Sequence, residues 1–162
     1  NVSYEQIKDG TFQDFVGQCT AKYGIEPRSI VLELTESSIV ADWEYVNRQF
    51  DAFREQGFRI AMDDFGTGYS SLVYLKNLSC DIVKIDREFV KNILSNDFDR
   101  HIVEYTVELC HSVGMKTCIE GVEEVEEYDL LTEICKADSI QGYLFGHPES
   151  VPVFEKQFLE QG

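Results

Sequence analysis

The sequence predicts an α/β protein built as a partial (β/α) barrel of the TIM type, in a single domain over residues 1–162. Short apolar runs alternate five times with amphipathic stretches, and the connections between them are short. A polar side chain lies at or near the end of each run, opposite its main aliphatic face: Glu33, Asp63, Lys84, Glu120 and Gln141. Since the carboxyl ends of successive barrel strands converge on one mouth, we expect these side chains to share a site.

The chain begins with an N-terminal stub, Asn1-Val2-Ser3, which is too short to form a strand by itself. Apolar residues at helical spacing then predict a helix that ends near Gly24. The run 30–37 alternates as the first of five full parallel strands. A second helix is predicted from Asp42 to Gly57, where the glycine ends it.

The remaining elements are predicted to alternate in the same way. They are a strand from Arg59 to Asp63, a short helix marked by Leu72, Leu75 and Leu78, a strand over 81–86, a helix capped by Asn96 or Asp97, a strand over 116–122, a helix over 123–135, a strand over 139–145 and a final helix begun by Pro148, Ser150 and Pro152. In the helix after Asn96, we expect Ile102, Tyr105, Leu109 and Val113 to form an apolar stripe.

The stretch 59–72 is the centre of this pattern, because an apolar strand ends there on two adjacent acids, Asp63 and Asp64. In an extended strand the two carboxylates point to opposite faces and reach different partners. Gly66 and Gly68 then allow a sharp turn. With 30 Asp and Glu in 162 residues, adjacent acids are also common at solvated strand ends. The pair indicates a metal site only together with the other strand ends.

Composition limits the possible functions. With 43% hydrophobic residues the chain can bury a core, and it contains neither an apolar run near 18 residues nor an N-terminal leader. We therefore expect a cytoplasmic protein with no membrane segment in this chain. The five cysteines are odd in number and lack a C-x-x-C pair, which favours reduced thiols. The three histidines have no metal-type spacing, so zinc is not supported.

The formal net charge of −16 argues against a partner that is a nucleic-acid polymer. An anionic substrate would need divalent cations, which clustered carboxylates hold. Solubility explains the same acidity equally well.

Five motifs occur in a characteristic order: VLELTES (31–37), MDDFGTGYSSL (62–72), VKID (83–86), IEGVE (119–123) and QGYLF (141–145). In these motifs the chain resembles the EAL domain family. The resemblance implies a modified TIM barrel from a bacterial phosphodiesterase, which hydrolyses the second messenger c-di-GMP to linear pGpG with two ions of Mg²⁺ or Mn²⁺.

The resemblance also implies roles for individual residues. Glu33 matches a metal-binding glutamate, and Asp63 matches the acid that bridges two metals. Asp64 and Glu120 match ligands of the second metal, and Glu120 is counted among the catalytic residues. Asn1 matches a metal-binding asparagine that ends an earlier strand.

Four further matches lie around this set of ligands. Lys84 matches the lysine that orients the attacking water, and Glu36 matches the acid that anchors the loop after the paired aspartates. Glu123 and Gln141 match positions that support the ligand and the metal shell, and we expect them to bind substrate.

Some features depart from the family pattern. The string E-A-L does not occur, because the family's namesake strand would lie upstream of Asn1, and Ile119 replaces a small residue. We expect the chain to be the C-terminal two-thirds of the family domain and to be inactive alone. The alternative is a non-catalytic EAL-like module that binds c-di-GMP or a protein. A kinase, suggested by the motif at 64–66, fails for want of an H-R-D loop.

The open edges of a partial barrel predict a homodimer or larger oligomer. These edges are the stub or the strand 30–36, and the strand 139–145. The resemblance adds the loop 65–71 as a dimerisation segment. A GGDEF or sensory domain in the parent protein would be a further partner.

Overall fold

The computed structural model describes residues 1–66, 75–76 and 78–159, with the side chains of residues 40 and 41 excluded. One parallel sheet has its strands in chain order: β1 (Val31–Thr35), β2 (Arg59–Phe65), β3 (Ile82–Ile85), β4 (Lys116–Ile119) and β5 (Ser139–Ile140). Parallel strands in chain order are the arrangement of consecutive strands in a (β/α) barrel. The predicted fold class is therefore confirmed.

The described α-helices are α1 (Tyr4–Lys8), α2 (Phe12–Tyr23), α3 (Glu36–Ala41), α4 (Trp43–Glu55), α5 (Asp97–Ser112), α6 (Val125–Glu133) and α7 (Val151–Phe154), which continues as a π-helical turn over Glu155–Leu159. Short 3₁₀ turns cover Pro27–Ser29 and Arg87–Phe89. The predicted cap of α5 is confirmed, since the Asn96 side chain accepts a hydrogen bond from the N–H of Phe98. The helix predicted over 72–78 lies mostly outside the described residues. No helix in the described ranges is long and apolar enough to cross a membrane.

The two ends of the sheet differ from the prediction. The stub lies beside β1, where the Val2 N–H donates to the Glu33 carbonyl at 2.8 Å. It leads directly into α1, which was not predicted and which begins with a capping box between Ser3 and Gln6. The last strand is shorter than predicted, because the chain turns after Gln141 and the N–H of Leu144 bonds back to Val122.

The buried face of α5 also differs from the prediction. Val103, Val107 and Cys110 are buried, whereas Tyr105 is 66% exposed and Val113 is 38% exposed. Ile102 and Leu109 of the predicted stripe are partly buried, and Leu109 packs against the core. The predicted and observed stripes are therefore neighbouring faces of one helix, and both satisfy the apolar period.

The core lies between the helices and the sheet. Phe50 and Phe53 of α4 pack in one cluster with Ile60 of β2. Val103 of α5 packs in a second cluster with Ile119, which is fully buried. Ile119 thus occupies the helix-facing side of β4, where a large aliphatic side chain contributes to the core.

Two aspartates fasten the amino ends of the strands. Asp81, just before β3, accepts a hydrogen bond from the N–H of Ile60 in the preceding strand at 2.8 Å. Asp138, just before β5, accepts one from the N–H of Thr117 in β4, also at 2.8 Å. Asp138 further contacts the Thr117 hydroxyl at 3.1 Å and His111 Nε2 at 2.7 Å. In both cases, an aspartate that precedes one strand is hydrogen-bonded to a backbone N–H of the neighbouring strand.

Asp138→Ala should lower the free energy of unfolding at pH 7 by about 1–3 kcal/mol, because it leaves the Thr117 donors unpaired. Burial opposes the charged form of Asp138, but the hydrogen bonds from His111 and Thr117 outweigh it and lower the pKa. A lowered folded-state pKa stabilises the protein above the ordinary aspartate pKa, and that stability disappears as pH falls through the folded value. Urea unfolding between pH 7 and pH 3 measures both effects.

The control for this experiment is Asp51→Asn, at an exposed site on α4, which should change stability by less than about 0.5 kcal/mol. A wild-type advantage over Asp138→Ala that grows below about pH 4 would contradict the assigned contacts.

Candidate functional site

One ammonium group joins three strand ends. Lys84 of β3 places Nζ 3.1 Å from Glu33 Oε2 of β1, 3.1 Å from Asp63 Oδ1 of β2 and 2.7 Å from Glu120 Oε1, just after β4. Thr35 is in register with Asp63 and Cys118 with Lys84, so Glu33 lies two residues before the level of Asp63 and Glu120 lies two residues beyond the level of Lys84. A shift of two residues keeps side chains on the same face of the sheet, from which they reach one point. Four of the five predicted strand-end residues therefore meet at one point.

This cluster is largely enclosed. The side chain of Lys84 is 7% exposed, and those of Asp63, Glu120 and Glu33 are 13%, 20% and 25% exposed. Burial alone would lower the pKa of Lys84, but its hydrogen bonds to Glu120, Asp63 and Glu33 outweigh this and raise it. The lysine is thus held charged, and three carboxylates around one ammonium leave two negative charges.

The pKa of Glu120 is raised as well. Burial is the largest cause, and the charges of Asp63 and Glu33 add to it, while Lys84 acts in the opposite direction. A further positive charge at this point would therefore relieve repulsion that Lys84 alone does not remove.

Asp64 lies with this group and not on the opposite face of the sheet, which corrects the prediction for the paired acids. Its φ is 57°, in the left-handed region, and the pairing of β2 with β3 shifts register between Met62 and Phe65. This break in the alternation brings oxygens of Asp63, Asp64 and Glu120 within 4.8 Å of one another. Burial, then the charges of Asp63 and Asp86, raise the pKa of Asp64.

The donor set fits a hard divalent cation. Oxygen ligands at about 2.0–2.6 Å from an ion are separated by at most about 4–5 Å, which agrees with the spacing of the three carboxylates. The group contains no histidine or cysteine. Its chemistry therefore suits Mg²⁺, Mn²⁺ or Ca²⁺ better than zinc.

Glu36 anchors the chain directly after the paired acids. Its carboxylate, in a residue only 4% exposed, accepts a hydrogen bond from the Gly66 N–H at 3.0 Å. Gly66 has φ 99°, and a Cβ at this position would overlap the ring of Phe89. The predicted anchoring contact is present, while residues 67–71 of the loop lie outside the described residues.

Gln141 and Glu123 are exposed and line a cavity of about 210 Å³ that also borders Glu120. The cavity includes two residues that the sequence analysis did not select, Asp86 and Arg87. Both directly follow β3, the strand that carries Lys84. This position was the sequence feature that could have identified them.

Asn1 is exposed and precedes the residue that bonds to β1. Within the described part of the chain, its side chain makes no hydrogen bond with the acidic cluster. The structure therefore places Asn1 beside β1 and does not join its side chain to the other predicted ligands.

Comparison with known sequences agrees with this architecture. A sequence model of the EAL domain matches residues 1–148. Cyclic di-GMP phosphodiesterase PdeF of Escherichia coli is 36% identical over 151 residues, which are 92% of this chain and 20% of PdeF. The bifunctional diguanylate cyclase/cyclic di-GMP phosphodiesterase MucR of Pseudomonas aeruginosa is 35% identical over 148 residues, 91% of this chain and 22% of MucR. The chain spans about a fifth of the length of these curated relatives.

Solved structures agree too. The PaMucR phosphodiesterase in complex with c-di-GMP has a TM-score of 0.87 at 34% identity, over 95% of this chain and 62% of that one. Klebsiella pneumoniae BlrP1, solved with c-di-GMP and manganese, has a TM-score of 0.81 at 29% identity, over 88% of this chain and 36% of that one. A calcium complex of BlrP1 is similarly related, with a TM-score of 0.82.

The fold and the site thus define a parallel α/β protein with an acidic, lysine-centred cluster at the carboxyl ends of its strands. Within that class, the match over residues 1–148 is decisive. The chain belongs to the EAL domain family.

Lys84→Met should lower the free energy of unfolding of the metal-free chain by about 2–4 kcal/mol, because three largely buried carboxylates lose their common partner. Added Mn²⁺ should recover part of this loss by replacing the missing positive charge. Thermal and urea unfolding with and without Mn²⁺ measure the effect.

Lys91→Met is the matched control, since its ion pair with Glu88 is exposed and should contribute at most about 1 kcal/mol. Equal stability of Lys84→Met and wild type would show that the three contacts contribute nothing.

Proposed function

We propose that these residues form the active site of a c-di-GMP phosphodiesterase that produces pGpG, working within a complete EAL domain. The observation that carries the proposal is Lys84 bonded to acids from three other strand ends, with Asp64 beside them. The PdeF relative and the c-di-GMP complexes of PaMucR and BlrP1 support the choice of substrate. Since this substrate is a bacterial second messenger, we place the reaction in the cytoplasm.

The assigned metal ligands are Asn1, Glu33, Asp63, Asp64 and Glu120, and Mg²⁺ or Mn²⁺ is the proposed cofactor. When bound, two such ions would supply Lewis-acid stabilisation and an activated water. Asp63 is proposed to serve both ions, as the family resemblance implies, and one of its carboxylate oxygens lies within 4.8 Å of oxygens of Asp64 and Glu120.

Lys84 is proposed to orient the attacking water. Its Nζ carries three donors, and the structure directs them toward carboxylates that would themselves hold cations. If those carboxylates coordinated a metal ion, an N–H donor of Lys84 would become available to a water molecule. Glu36 is proposed to keep the following loop in place through Gly66.

Glu123 and Gln141 are proposed to bind substrate in the cavity that borders Glu120. Arg87 in the same cavity adds a cation where an anionic dinucleotide would need one. With a volume of about 210 Å³, the cavity can hold only part of such a ligand.

A non-catalytic role is the second candidate for the 162-residue chain. In the described ranges, one group of three acids meets the spacing of a metal site, whereas two-metal hydrolysis requires two sets of ligands. The string E-A-L, which resemblance associates with a further ligand, is also absent from these residues. Binding of c-di-GMP without turnover would fit this arrangement.

Asp63→Asn should reduce hydrolysis by at least about 10³-fold in a domain completed upstream of Asn1 by an E-A-L strand, because a neutral amide replaces a bridging carboxylate. Conversion of c-di-GMP to pGpG under Mn²⁺, followed by chromatography, measures the rate. The exposed Asp51→Asn serves as the control and should leave the rate unchanged.

The 162-residue chain should show no appreciable turnover in the same assay. Rapid turnover by this chain would overturn its proposed dependence on the E-A-L strand, and wild-type turnover by Asp63→Asn would overturn the role of Asp63. Calorimetric titration of the chain with c-di-GMP distinguishes a binding module from a chain that does not bind.

We also propose that the chain forms a homodimer or larger oligomer. Beyond β5, a set of apolar side chains is between 48% and 69% exposed: Phe145, Val151, Phe154, Phe158 and Leu159. β5 ends the described sheet, so one of its edges is open to another strand. A GGDEF or sensory domain in a longer protein, as the bifunctional MucR suggests, would be a further partner.

Phe154→Glu should shift this self-association to at least about tenfold higher protein concentration, because it places a charge in the apolar surface. Light scattering across a dilution series measures the shift. Phe98→Glu, at a 70% exposed site on α5, is the matched control and should not change it. A monomeric wild type at all concentrations would contradict the proposal.

A further inference from the structure

A second cavity lies at the other end of the sheet from the acidic cluster. Its volume is about 380 Å³, and it is bordered by the first residues of β2 and β4, Arg59 and Lys116. Lys116 precedes Glu120 by four residues, or about 13 Å of extended chain. A ligand in this cavity would therefore not contact the proposed catalytic groups.

The rim of this cavity is cationic in a strongly acidic protein. Four of the 14 Lys and Arg residues line it, namely Arg54, Arg59, Lys76 and Lys116, against the single acid Asp81. The chain as a whole carries a formal charge of −16. A local excess of three positive charges therefore stands out against the surrounding field, and it attracts anions.

The one acid at the rim is already fully engaged. Asp81 Oδ1 accepts hydrogen bonds from Arg54, at 3.1 Å from Nε and with Nη2 at 3.0 Å, and Oδ2 accepts the Ile60 N–H at 2.8 Å. Among the described residues, no acidic side chain forms an ion pair with Arg59, Lys76 or Lys116. Three cations thus remain for a ligand.

Buried apolar side chains complete the lining of the cavity. They are Leu75, Leu78 and Met115, which are at most 6% exposed as whole residues. Cys80 also lines the cavity, and burial raises the pKa of its thiol to about 12, so the thiol adds no negative charge there. The groups that the cavity offers to a ligand are therefore mainly its cations, and its volume is within the size range of small-molecule sites.

We propose that this cavity binds a phosphate group, either free or carried by a small organic molecule, through Arg59, Lys76 and Lys116. Phosphate is favoured over a lone carboxylate because three cations exceed what one negative charge requires. This ligand is separate from the proposed substrate and needs no metal.

Isothermal titration of the 162-residue chain in buffer with EDTA tests the proposal. The probes are phenyl phosphate, AMP, inorganic phosphate and adenosine. Phenyl phosphate, AMP and inorganic phosphate should each bind one site because all three carry the phosphate, and adenosine, which lacks it, should not bind measurably. Saturable binding of adenosine, or no binding of any of the three phosphates, would overturn the proposed ligand class.

The variant Lys76→Gln/Lys116→Gln locates the site. Both side chains are exposed, so the fold should be retained, and the affinity for phenyl phosphate should fall by at least about tenfold. The matched control is Lys8→Gln/Lys22→Gln, which removes the same charge from exposed lysines outside the cavity and should change affinity by less than about twofold. An equal loss in both variants, or no loss in the first, would show that the cavity is not the binding site.

Discussion

The contacts of Lys84 determine how the strand ends of this protein can be arranged. Three carboxylates that converge on one point repel one another and resist burial, so their convergence needs a positive charge. Lys84 supplies that charge from the middle strand of the five, and it contacts acids that lie within or just after three other parallel strands. The lysine is therefore structural as well as a candidate for chemistry, because the strand register places its ammonium among the acids it neutralises.

That arrangement leaves two negative charges, and a fourth acid, Asp64, lies beside them. Asp64 joins the cluster only because its backbone is left-handed, a conformation that costs about 1 kcal/mol or more for a residue with a side chain. Its pKa is raised by burial and by neighbouring acids. This conformation places a further carboxylate among acids that already repel one another, at a spacing that fits a divalent cation.

The two ends of the sheet use aspartates in opposite ways. At the amino ends, Asp81 and Asp138 are satisfied by backbone N–H groups and by a basic side chain, so their charges are balanced within the fold. At the carboxyl ends, the acids share one lysine and remain in excess. The excess negative charge thus lies at the carboxyl ends of the strands, where (β/α) barrels usually have their active sites.

The sequence predicted the order of the strands, because alternating apolar runs and short connections leave few other topologies. It also predicted that Glu33, Asp63, Lys84 and Glu120 would meet, since strand ends in a parallel sheet are level. The sequence-based prediction failed where local backbone conformation or helix orientation determines which way a side chain points. The left-handed φ of Asp64 has no signal in a pattern of alternation, and the face of α5 was ambiguous because two apolar stripes fit the helical period.

Arg87 is another residue whose position in the structure was not predicted from the sequence. Its position after the strand that carries Lys84 was the only signal in the sequence, and that signal does not reveal that Arg87 packs directly against the turn that follows Glu120. A Cβ on Gly121, which has φ 74°, would overlap the Arg87 side chain. The glycine therefore allows the turn after β4 to approach the chain after β3, and this contact brings a cation to the cavity beside the acids. The position of the arginine is a property of two loops packed together, so it becomes visible only in three dimensions.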